Sequence, residues 1–149
     1  MIVAALLSAI HLLTLALGLG AVVWRGRALA SPLDDRGWGN VLAADTAWGI
    51  AAGLWIASGV ARLFFGGKEL GFYTHNGFFW IKMTLFAAVF LLELAPMIAF
   101  IRVRAARRSG QLPPPLPLVR FQRINAIEAA LVIVIVVVAA FMARGAWLF

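Results

Sequence analysis

His11, Lys82, Glu93 and Glu128 are ionisable residues set within runs that are otherwise almost wholly apolar. An imidazole and a carboxylate can each change charge, so His11 and Glu93 are candidates to pass a proton in a medium of low polarity. Glu93 is the candidate proton partner. Glu128 and Asp45 would then lie toward one end of the route, and Lys82 and Arg62 toward the other. Arg62 and Lys82 are also candidates to hold an anionic group such as a lipid phosphate. The competing reading is structural: each ion neutralises a neighbour and fixes helix register, and lipid headgroups are the default partners of the two cations. On that reading His11 bonds across helices to Glu93 or to a hydroxyl.

Other chemistries have no residues here to perform them. There is no phosphate-binding loop, no nucleophile elbow, no H-E-x-x-H and no paired Asp/Glu cluster. The chain has no cysteine, which removes disulfides, thiolate metal sites, iron–sulfur clusters and covalently attached haem. No metal site is expected.

The elements that must position these residues follow from composition. The 149 residues are 64% hydrophobic and 13% charged. Soluble domains carry about 25% charged residues. A helix crossing a hydrocarbon core of about 30 Å needs about 20 apolar residues. Four runs satisfy this, which predicts an all-α integral membrane protein, an antiparallel bundle of four transmembrane helices forming a single domain over 1–149. The helices are expected at about 3–24, 41–65, 76–104 and 120–144, with connectors at 25–40, 66–75 and 105–119. The first run lacks a preceding Lys or Arg and exceeds a signal peptide's apolar core, so it reads as a retained helix.

Within these helices the spacing assigns faces. Ser8, His11, Thr14 and Gly18 recur every three or four residues and share one face of the first helix. Asp45 opens the second helix, where a carboxylate favours the N-terminus. Gly49 and Gly53 form a G-x-x-x-G pair that allows close approach of a neighbouring helix. Lys82 and Glu93 face the same way but lie about 16 Å apart along the axis, too far to pair. Asn125 and Glu128 share the first turns of the fourth helix. The connector 105–119 holds three consecutive prolines and reads as a stiff spacer.

The net charge of +7 is spread at helix ends and forms no stripe with interleaved aromatics, so nucleic acid is not the expected partner; the lipid bilayer is. Nine arginines fall on the side of the first and third connectors, against four basic residues on the other side. The positive-inside rule then makes the connector side cytoplasmic and puts both termini in the periplasm.

A resemblance runs from His11 to Gly145. The segments D45-T-A-W-G49, S58-G-V-A-R62, F79-W80 with K82, E93-L-A-P-M97 and M142-A-R-G145 resemble a bacterial family of small membrane proteins of unknown function, domain-of-unknown-function family 2214. That resemblance implies four spans in a bacterial inner membrane. More distantly, His11, Arg25, Lys82 and Met83 are similar to positions of the HemJ-type protoporphyrinogen oxidases and the CopD-like membrane proteins. That likeness implies haem b as cofactor, with His11 as iron ligand, Met83, Met97, Lys82 or no second ligand opposite, and Arg62 and Lys82 on the propionates. Three functions follow as expectations: a haem- or porphyrin-handling redox membrane protein first, a structural or accessory subunit of a membrane complex or homo-oligomer second, and a CopD-like small-solute or metal permease third.

Overall fold

The computed structural model describes residues 2–147. Helix α1 covers Ile2–Leu29, α2 Asp35–Phe65, the short α3 Leu70–Thr74, α4 Gly77–Arg108 and α5 Leu118–Ala143. Four of the five are long and apolar enough to cross a membrane. No strand occurs among the described residues. In hydrocarbon only a helix satisfies every backbone group within its own segment, so even the β-branched run Val132–Val138 is helical.

Each long helix runs further than its apolar run. Arg25 to Leu29 continue α1, and Asp35 to Asn40 already belong to α2. The reason is local. Asp34 caps α2 by accepting from the Gly37 N–H at 2.8 Å, and the Pro32 carbonyl oxygen leaves no room for a Cβ at Gly37. That turn therefore closes within a few residues. Asp45 does not open or cap α2, as its position had suggested; it lies ten residues inside the helix and is buried.

The ends of the helices identify the two faces of the bundle. Gln122 of α5 donates to the Leu29 carbonyl of α1, and Arg107 of α4 pairs with Asp35 of α2. The loop around 66–76 meets the end of α5, where Lys68 donates to the Ala143 carbonyl and Asn76 to that of Ala146. The first may be called the connector face and the second the terminal face.

Helix α1 packs on α2 and α5, and α4 packs on α5, whereas α2 touches α4 only sparsely. The α1–α2 seam sets small residues of α1 against tryptophans of α2: a Cβ at Gly18 would lie 3.2 Å from the Trp48 ring. Gly49 and Gly53 were expected to form a helix contact. They are exposed, with open space where a Cβ would stand. The aromatic face of α2 points inward, so its small-residue face points out.

Two apolar layers fill the interior. One contains Val22, Trp48, Trp55, Val89, Val132 and Ile135. The other, nearer the connector face, contains Leu29, Val41, Phe100, Phe121 and Ile124.

Candidate functional site

Arg25 extends the stripe His11, Thr14, Gly18 and Val22 by one more step of three, so its side chain turns into the bundle. It is 1% exposed. Its guanidinium is bonded by all three of the other long helices. Glu93 of α4 accepts from it twice, at 2.7 Å through each carboxylate oxygen. Glu128 of α5 accepts at 2.7 Å and Asp45 of α2 at 3.0 Å. Nε donates to the Asn125 side-chain oxygen at 2.9 Å, and the Phe100 ring lies 6.0 Å from the guanidinium carbon. Arginine's fixed fork of five donors suits this task as a lysine ammonium would not.

Further donors engage Glu93 and Asp45. The Trp48 indole donates to Glu93 at 3.1 Å. Arg104 donates to Asp45 at 2.8 Å and also to the Leu42 carbonyl and the Thr46 hydroxyl. Asn125 donates onward to the Val22 carbonyl at 2.8 Å. Two guanidiniums thus face three carboxylates. One oxygen, Oε1 of Glu128, is buried without a hydrogen-bond partner among the described residues. The cluster lies between the two apolar layers, since Arg25 follows Val22 and precedes Leu29, and Glu93 lies between Val89 and Phe100. Arg25 and Glu128 are almost wholly buried there, while Glu93 keeps 17% of its side chain exposed.

Asn125 approaches the α1 backbone closely enough that only glycine fits there. A Cβ at Gly26 would stand 2.6 Å from the Asn125 amide nitrogen, which is pinned by its bond to Val22. Gly26→Ala is therefore expected to lower stability by about 1–3 kcal/mol, the usual range for overpacking, read as a lower melting temperature in detergent.

His11 lies 14 residues from Arg25 on α1, about 21 Å toward the terminal face. It does not bond to Glu93, so the two candidate proton carriers do not meet. Both ring nitrogens are engaged by α2. The Trp55 indole donates to Nε2 at 2.9 Å, and Nδ1 bonds the Ser58 hydroxyl at 2.9 Å. An indole N–H can only donate, so Nε2 accepts and Nδ1 carries the proton offered to Ser58. Ser58 passes its own proton to the Trp55 carbonyl at 3.1 Å.

His11 forms part of the wall of a cavity of about 240 Å³, together with Arg62, Lys82, Met83, Phe79 and Phe86. The four residues expected to hold a haem, His11, Arg62, Lys82 and Met83, are thus gathered at one place. A haem iron nevertheless needs the lone pair of a ring nitrogen. The acceptor pair on His11 is at Nε2, and Trp55 holds it. As arranged, these residues do not fit an iron-bound haem b. Of the remaining expected residues, Asp45, Asn125 and Glu128 join Glu93 in the Arg25 cluster, and Gly49 and Gly53 are at neither place.

The roles of several residues escaped the sequence reading, Arg25 among them although its position was likened to one of the HemJ-type and CopD-like proteins. Arg25 and Arg104 sit where an apolar run ends and look like topology signals. The signal for Arg25 was the continuing three- and four-residue step from His11. Trp55 and Ser58 as holders of His11 had no signal beyond their spacing on α2.

Among known proteins, residues 3–146 match the model of a family described as a predicted membrane protein, domain-of-unknown-function family 2214. No curated protein and no solved structure matches, so nothing there supports the likeness to the HemJ-type or CopD-like proteins.

Proposed function

Taking as premise that the chain belongs to this family of predicted membrane proteins, we propose that it is a non-catalytic, accessory membrane protein. It sits in a bacterial inner membrane with the connector face cytoplasmic and both termini periplasmic. Its four spans are locked to one another by the Arg25 cluster. One observation carries this reading: Asp45, Glu93 and Glu128 are all spent on Arg25 between two apolar layers. Each acid at that depth is held by a guanidinium, and among the described residues no further acid stands there to line a path for a proton or a solute. In liposomes holding a pH-sensitive dye, the protein is expected to pass no more protons than protein-free vesicles. A leak abolished by Glu93→Gln would contradict the reading and favour a transport function.

A second reading, handling of haem b or a porphyrin, is supported by the meeting of His11, Arg62, Lys82 and Met83 at one cavity. It requires Trp55 to give up Nε2 of His11. The accessory reading predicts a flat reduced-minus-oxidised absorption spectrum from protein made with haem in supply. A haem b band that disappears in His11→Ala would establish the second reading instead.

A further inference from the structure

The cavity near the terminal face has a feature that the Arg25 cluster does not need. Arg62 of α2 and Lys82 of α4 both line it. Among the described residues no carboxylate lines it. The side chains of Arg62 and Lys82 make no hydrogen bond or ion pair with any described residue. Two like charges turned into an apolar-walled space repel one another, and neither has a counter-ion among the described residues. An anion between them removes both penalties and gains charge-assisted hydrogen bonds.

The rest of the wall says what the anion is attached to. Trp55, Phe79, Met83 and Phe86 give an apolar lining. Ile56 and Val60 belong to that lining and are 45% and 48% exposed, so the space continues onto the outer surface of α2. It opens there because α2 and α4 barely touch. At about 240 Å³ it is smaller than the usual 300–1,000 Å³ site for a whole drug-sized ligand. It holds a head and the start of a chain, with the remainder emerging among the lipids.

We propose that this cavity binds an amphiphile with an anionic head group, carboxylate or phosphate, between Arg62 and Lys82, with its hydrocarbon tail leaving between α2 and α4. Nothing in this proposal depends on the accessory role. The head group is of one chemistry and can come from a free fatty acid or from a bilayer phospholipid.

The test uses the detergent-purified full chain and three probes: oleate, phosphatidylglycerol and the uncharged oleyl alcohol. Native mass spectrometry counts bound molecules, and thermal melting reads stabilisation. At least one anionic probe is expected to bind one to one and raise the melting temperature. Oleyl alcohol is expected to bind about tenfold more weakly or worse, since two charge-assisted bonds are absent. The double variant Arg62→Gln/Lys82→Gln is expected to lose the anionic probe to the same degree. Lys68→Gln/Arg144→Gln, which removes cations of the same face that do not line the cavity, is expected to keep it. Binding of oleate alone identifies a free acid as the occupant, and binding of phosphatidylglycerol identifies a bilayer lipid; either supports the proposal. Equal binding of the alcohol, or full retention by the Arg62/Lys82 double variant, overturns it. The comparison of probes on the unaltered chain stands even where a variant fails to fold.

Discussion

Arg25→Met is expected to destabilise the bundle by about 3–5 kcal/mol, the usual effect of removing one partner from a buried ionic group. That is a large share of the roughly 5–15 kcal/mol that holds a folded protein together. The methionine fills much of the arginine's volume, so the loss is electrostatic rather than a packing defect. Five hydrogen bonds go at once, two to Glu93 and one each to Glu128, Asp45 and Asn125. Glu93 and Glu128 are left facing each other without a cation, because Asp45 is the one of the three carboxylates that Arg104 pairs with. Helix α1 loses its side-chain bonds to Asp45, Glu93, Asn125 and Glu128 of the other three long helices. Denaturant titration in detergent micelles measures the difference. Arg25→Lys is expected to recover only part of it, because one ammonium cannot reproduce a two-pronged bond to Glu93 while serving Glu128 and Asp45.

The two glutamates of the cluster are expected to respond oppositely. Glu93→Ala removes the acceptor of both guanidinium prongs and of the Trp48 indole, and should destabilise by about 2–4 kcal/mol through unpaired buried donors. Glu128→Gln should leave stability within about 1 kcal/mol of the parent, or raise it. Three carboxylates share two guanidiniums, so one negative charge is in excess. Glu128 is the carboxylate with an unpartnered oxygen and the one with no exposure at all. A glutamine keeps an oxygen for Arg25 and removes the excess charge. Melting temperatures of the two variants side by side check the contrast. A Glu128→Gln loss as large as that of Glu93→Ala would show that the charges had been counted wrongly.

Much of this architecture is legible in the residues before any coordinates. Apolar run length fixes four spans. The step from His11 through Thr14 to Gly18 marks the buried face of α1, and Trp48, Trp55 and Arg62, seven apart, mark the inner face of α2. Arg62 and Lys82 are legible as cations near the terminal face. Three things were not legible, each for a physical reason. Spacing assigns a residue to a face but names no partner, so Glu93 was matched with His11 when its partner is Arg25. An arginine at the edge of an apolar run reads as a loop charge whether its side chain reaches for water or folds back inside, and Arg25 does the second. Small residues mark any close-packed or open surface equally. Gly49 and Gly53 turned outward, while the close approaches fell at Gly18 and Gly26, which a neighbour's bulk had selected.

The claim at the centre is that the buried ions serve only as one another's partners, so that Arg25→Met is unstable because it leaves Glu93 and Glu128 unpaired. The most direct measurement compares the stability of Arg25→Met with that of Arg25→Met/Glu93→Gln/Glu128→Leu. The triple variant removes one cation and two anions and leaves Asp45 paired with Arg104. Its glutamine still offers an oxygen to Trp48. A buried ionic group replaced as a whole by neutral side chains of similar volume is often as stable as the original, so the triple variant is expected to regain most of what Arg25→Met loses. A triple variant as unstable as the single one would contradict the claim and show that the charges themselves are needed.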